Sequence, residues 1–85
     1  MTELVLDMDR YHTLNQERRE AINRFVDNAF GASVTHADCF KLEVGEHGCT
    51  GYFYDRQDGK FHCEDGEVVW FPMFTPALPP DWRRP

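Results

Sequence analysis

The sequence predicts an α+β domain: one N-terminal helix packed on a four-stranded antiparallel β-meander, followed by a proline-rich C-terminal tail. Three observations carry this expectation. An apolar stripe recurs at helical spacing between residues 14 and 30, and from Cys39 onward apolar and polar residues alternate. Two Asp-Gly pairs, Asp58-Gly59 and Asp65-Gly66, have the chemistry of tight hairpin turns. A helix and a sheet that are each apolar on one side bury those sides against one another, which gives two layers. The 85 residues have room for one such core, assigned to 1–75, with 76–85 as the tail.

In the helix, Thr13 and Gln16 have the spacing of a capping box, which satisfies two orphan N–H groups at a helix start. Ile22, Phe25, Val26, Ala29 and Phe30 form the stripe, with Phe25 at its expected centre. Arg18, Arg19, Asn23, Arg24 and Asp27 fall opposite, and Glu20 stands four residues before Arg24 in the favoured order. Gly31 is placed to end the helix in a left-handed conformation. Ahead of it, residues 3–8 alternate as a short strand would, and a helical turn fits almost as well.

Four strands are expected after the helix. In the first, Phe40, Leu42 and Val44 alternate with Cys39, Lys41 and Glu43. The others run over 49–54, 60–64 and 67–74, with Pro72 restricting the last to a sheet edge. With Phe40, Leu42, Val44, Phe53, Phe61 and Cys63 toward the helix, the opposite face receives Tyr52, Tyr54, Val68 and Trp70. A solvated face does not ordinarily carry such a set. Either the tail, with Phe74, Leu78 and Trp82, folds back over these residues, or a partner buries them. The expected partner-binding residues are Trp70, Tyr52, Tyr54, Val68 and Trp82, since Tyr and Trp combine apolar area with a polar handle.

Composition narrows the classes of function. Hydrophobic residues at 41% and charged residues at 28% describe a globular chain and not a disordered one. The net charge of −6 has the wrong sign for binding phosphate backbones. Residues 38–67 are the most acidic, with eight acids against three bases. No nucleic-acid partner is expected, although an acidic surface that mimics DNA is a third reading. The N-terminus lacks a basic region and a long apolar run, and the longest apolar stretch, 68–74, is too short to cross a bilayer. Three cysteines, an odd number, do not make a disulfide framework. A cytoplasmic protein without a membrane partner is the expectation.

No catalytic motif appears. Ser33 is the sole serine and lies in no nucleophile motif, and no glycine-rich phosphate loop is present. The pairs His36–Cys39 and His62–Cys63 are of a kind that four histidines and three cysteines offer by chance. Residues 55–67 fail as a calcium loop because Lys60 stands where glycine is required. Pro76-Ala77-Leu78-Pro79 has polyproline-ligand spacing but lacks the flanking base, so it reads as a stiff cover strip. No cofactor is expected. The alternative is a structural zinc site on His36, Cys39, His47 and Cys49, two closely spaced His/Cys pairs near a turn.

A short acidic chain with its helix first, Asp-Gly hairpins after it and the ending Pro79-Pro80-Asp81-Trp82 resembles the small accessory proteins encoded by bacteriophages of actinobacteria. The resemblance implies expression inside an infected bacterium and action by binding a host or phage macromolecule. Together these features predict a small acidic, non-enzymatic protein-binding module whose partner is a host protein or, as a homodimer, a second copy of itself.

Overall fold

A computed structural model describes the backbone of residues 2–80 and the side chains of residues 5–80. Strand β1 (Thr2–Asp7) follows the strand reading of this segment and leads directly into a short helix, α1 (Met8–Thr13), that the sequence did not indicate. The Asp7 carboxylate accepts the Arg10 N–H at 2.9 Å and caps α1. This helix buries no residue and therefore has no apolar stripe by which periodicity could reveal it. Helix α2 (Gln16–Ala29) follows, and its cap differs from the expected box. Asn15 receives the Arg18 N–H at 2.8 Å, while the Thr13 hydroxyl donates backward to the Arg10 carbonyl. Gly31, at φ +91°, takes the left-handed conformation expected past the helix end.

A 3₁₀ turn (His36–Asp38) leads to β2 (Cys39–Gly45), β3 (Gly48–Tyr54) and, after an excursion, β8 (Trp70–Thr75). The antiparallel sheet has the order β1-β2-β3-β8. Its four strands thus include β1 and exclude the expected strand at 60–64. Pro72 lies on an edge strand, as its missing N–H requires.

The excursion consists of two small hairpins, β4 (Arg56–Gln57) with β5 (Lys60–Phe61) and β6 (Cys63–Glu64) with β7 (Glu67–Val68). Both Asp-Gly turns have positive φ at each residue, the primed geometry that matches the strand twist. A ring of three backbone hydrogen bonds joins the hairpins to the sheet. Asp55 N–H donates to the Val69 carbonyl, Val69 to His62, and His62 to Asp55, at 2.8–2.9 Å. The ring diverts His62 and Val69 out of strand pairing, which breaks each expected long strand in two. Phe61 and Cys63, expected under the helix, consequently lie on exposed hairpins.

The core lies between α2 and the inner sheet face. It contains Ile22, Val26 and Phe30 from the helix, Leu6, Leu42 and Val44 from β1 and β2, and Cys49 and Phe53 from β3. Phe53 is fully buried, with its ring 5.2 Å edge-on from Phe30. Val26 and not Phe25 is the centre of the stripe, because Phe25 is only half-buried and packs edge-on against Phe30 at the stripe's margin. Two glycines fit where side chains could not. A Cβ on Gly51 would lie 2.7 Å from the Phe53 ring and 3.0 Å from Phe30. One on Gly48 (φ +148°) would lie 2.2 Å from the Thr75 carbonyl, where the chain leaves β8.

Asp27, on the exposed side of α2, ties the 3₁₀ turn to the helix. Its carboxylate accepts the His36 backbone N–H at 2.8 Å and lies 2.9 Å from His36 Nδ1. The backbone hydrogen bond first, and the ring's hydrogen bond and charge after it, lower the Asp27 pKa against an opposing effect of burial.

Phe53→Ala should destabilise the domain by about 3–5 kcal/mol, the usual cost of deleting a buried phenyl ring. Phe25→Ala should cost clearly less, and Gly48→Ala should prevent folding or lower the melting temperature as strongly as Phe53→Ala. Denaturant melts of the three variants check this ranking. Because the Asp27 pKa is depressed on folding, its stabilisation is present above the unfolded value of 3.8 and is lost as pH falls through the lower folded value. Asp27→Asn should flatten the stability–pH curve in that acidic window, as measured by melts between pH 2 and 5.

Candidate functional site

The outer sheet face opposes the face covered by α2, and strand alternation delivers Tyr52, Tyr54 and Trp70 to it as expected. A register irregularity adds Phe40. Cys39 pairs with Phe53 and Lys41 with Tyr52, so β2 carries an extra residue at this point. The bulge turns Phe40 and Lys41 to the same outer face, and Cys39 instead packs against the core. This reverses the expected placement of Phe40 and Cys39, for which simple alternation has no signal.

These rings form one cluster. Phe40 stacks on Tyr54 at 4.4 Å between centroids and meets Trp70 edge-on at 6.0 Å, while Tyr52 lies 5.6 Å from Trp70. Phe61, reaching back from its hairpin, adds a fifth ring 5.4 Å from Tyr54. The cluster remains open to solvent: Trp70 is 52% exposed and Phe61 46%. Further along β8, Phe74 is 61% exposed on the same face, so it is a strand residue and not part of a covering tail. Val68 is half-buried in the β6–β7 hairpin opposite Cys63, outside the ring cluster. Trp82 lies outside the described residues. Leu78, expected to help cover the face, is itself 48% exposed.

Charged groups on this face are arranged around the rings. Lys41 Nζ is 4.9 Å above the Tyr52 ring and 3.8 Å from Glu43. The Arg56 guanidinium is 4.4 Å above Phe61 and bonds Asp38 at 2.8 Å. The Tyr52 hydroxyl donates to the Glu43 carboxylate. That hydrogen bond, then burial, then the nearby negative charge raise the Tyr52 pKa above 10. Toward the β2–β3 turn the face dips into an open recess of about 320 Å³, whose walls include Glu43, Glu46, Thr50, Tyr52 and Phe74.

A second concavity, about 220 Å³, lies between the helices and the inner sheet face. Its floor is Leu6, Ile22, Val26 and Leu42, and at its rim the Tyr11 hydroxyl donates to Asn23 at 2.8 Å. Burial pushes the Cys39 thiol up, away from the thiolate a nucleophile needs.

The four expected zinc ligands are not brought together. Cys39 opens β2, while Cys49 pairs with Val44 at its far end and is fully buried. Burial pushes the Cys49 thiol up to about 12. His47 is exposed in the β2–β3 turn, and His36 is engaged by Asp27. Among the described residues, no three His, Cys, Asp or Glu side chains are grouped to hold a metal ion. The two His–Cys pairs are also divided: His62 Nδ1 faces Asp55 at 2.9 Å, and the thiols of Cys39 and Cys63 turn to backbone carbonyls. No described helix is long and apolar enough to cross a membrane.

In a tyrosinate absorbance titration, Glu43→Gln should bring the ionisation of the Tyr52 phenol to lower pH than in the parent. An unchanged titration would remove Glu43 as the partner of Tyr52. Neither a protein-family model, nor a curated protein, nor a solved structure matches the chain.

Proposed function

We propose that the protein is a non-enzymatic binding module that engages a protein partner through the outer face of its sheet. The observation that carries this is the half-exposed Trp70, in contact with Phe40 and Tyr52 within a ring cluster on a face that α2 does not cover. Large exposed aromatics such as Trp dominate interface energies, while their neighbours chiefly exclude water. Phe40, Tyr52, Tyr54 and Phe61 hold the Trp70 region in place by mutual contact. The partner therefore meets a surface already ordered, which lowers the entropy cost of association. The resemblance to phage accessory proteins favours a host or phage protein as that partner.

Trp70→Ala should abolish capture of the specific partner from a bacterial lysate, or self-association measured by sedimentation, while the melting temperature stays close to that of the parent. Tyr52→Ala and Tyr54→Ala should weaken binding less. A large loss of stability in Trp70→Ala without a selective binding defect would make Trp70 part of the core and overturn the proposal.

A further inference from the structure

The concavity between the helices and the inner sheet face has a chemical character of its own. Leu6, Ile22, Val26 and Leu42 at its floor are buried and wholly apolar. Asp7 and Lys41 also line it, but both are engaged. The Asp7 carboxylate caps α1, and the Lys41 ammonium lies over Tyr52 beside Glu43 on the outer face. A charged occupant would therefore be desolvated without a counter-charge to offset the cost. An engineered apolar cavity of roughly 150 Å³ holds one benzene. At about 220 Å³, this one has room for a ring with a substituent.

The 3₁₀ turn supplies a polar anchor. His36 lines the cavity, and its Nδ1 lies 3.0 and 2.9 Å from the two carboxylate oxygens of Asp27. A carboxylate only accepts, so the proton of the neutral imidazole sits on Nδ1 and leaves Nε2 as an acceptor. Among the described residues, none is hydrogen-bonded to that Nε2. Asp27 also accepts the His36 backbone N–H at 2.8 Å, which fixes the turn against α2. At the rim, the Tyr11 hydroxyl spends its proton on Asn23. An apolar floor beside an oriented acceptor suits a ligand with an apolar body and one neutral donor.

We infer that this cavity binds a small neutral phenol, with its ring on Leu6, Ile22, Val26 and Leu42 and its hydroxyl donating to His36 Nε2. Asp27 acts as a positioning residue, because holding Nδ1–H keeps the acceptor on Nε2. The site is separate from the outer sheet face, so neither it nor the protein-binding reading depends on the other.

The probes are p-cresol and its methyl ether, which share the ring and the oxygen and differ in the O–H. Each is titrated into the full chain and followed by amide NMR shifts, with the imidazole nitrogen resonances of His36 read in parallel. For p-cresol the expected result is a saturable response centred on Leu6, Ile22, Val26 and Leu42, with the His36 Nε2 resonance moving more than Nδ1. The ether should bind at the same place about fivefold more weakly, the usual net worth of one hydrogen bond. His36→Ala keeps the backbone N–H that Asp27 accepts, and circular dichroism checks its fold. In that variant p-cresol should fall to the affinity of the ether, and the ether should bind as it does in the parent.

Equal binding of the two probes to the parent would mean that the O–H is not recognised and would overturn the inference. So would undiminished p-cresol binding in His36→Ala, or a response centred on Tyr54 and Trp70, which would be ring contact on the outer face. The absence of a saturable response to either probe would remove the site altogether. If His36→Ala fails to fold, the two-probe comparison and the Nε2 shift in the parent decide the outcome by themselves.

Discussion

A single helix of 14 residues is about 21 Å long and covers one face of a four-stranded sheet and no more. Everything else in the molecule follows from that shortage of covering layer. On the covered side, Ile22 and Val26 of α2 and Phe30 at its C-cap meet Leu42, Val44 and Phe53, and glycine at position 51 lets the Phe30 and Phe53 rings approach. On the other side no described helix or loop is left to exclude water. The chain answers with side chains that cover one another: Phe40 stacks on Tyr54, Trp70 closes against both Phe40 and Tyr52, and Phe61 reaches in from outside the sheet. Residues on β3 serve both layers in strict alternation, with Phe53 inward and Tyr52 and Tyr54 outward.

The parts of this architecture that the sequence disclosed are those set by local chemistry. α2 was legible from its 3.6-residue stripe, the β2–β3 hairpin from its glycines, and both small hairpins from Asp-Gly pairs whose positive φ few other residues accept. Trp70 and Tyr52 were legible as outward residues because alternation on β3 and β8 is unbroken between them. What remained hidden depends on contacts distant in sequence. The bulge at Cys39–Lys41 leaves no trace in an alternating pattern, so Phe40 was assigned to the wrong layer. The junction at Asp55, His62 and Val69 is made by backbone atoms, which side-chain patterns do not report, so two broken strands read as continuous ones. Helix α1 escaped because it fully buries no residue, and Asn15 displaced Thr13 as the cap of α2 because that choice depends on where α1 ends.

Charge placement gives the two faces of the sheet different roles. The inner face keeps its polar groups few and its thiols protonated, as burial of Cys49 and Cys39 requires. On the outer face, carboxylates are held by specific donors: Glu43 by Tyr52 and Lys41, Asp38 by Arg56, Asp55 by His62. Exposed pairs of this kind contribute little each to stability. Their effect is to fix side-chain positions, so that the rings they border present one surface and not an ensemble of rotamers. Ordering of that kind favours recognition more than folding.

The ring of hydrogen bonds at Asp55, His62 and Val69 also bears on how the chain finds its fold. Without it, joining β8 to β3 would require closing one long loop from Asp55 to Val69, and the entropy cost of closure rises with the logarithm of loop length. Two hairpins with primed Asp-Gly turns form locally, on the microsecond scale typical of such elements. Once both exist, the three residues of the ring are neighbours, and the ends of β3 and β8 are delivered side by side. The junction lies next to Trp70, the first residue of the edge strand that runs on to Thr75. The hairpins thereby shorten the chain's effective path, and contact order, not added core, is what the excursion improves.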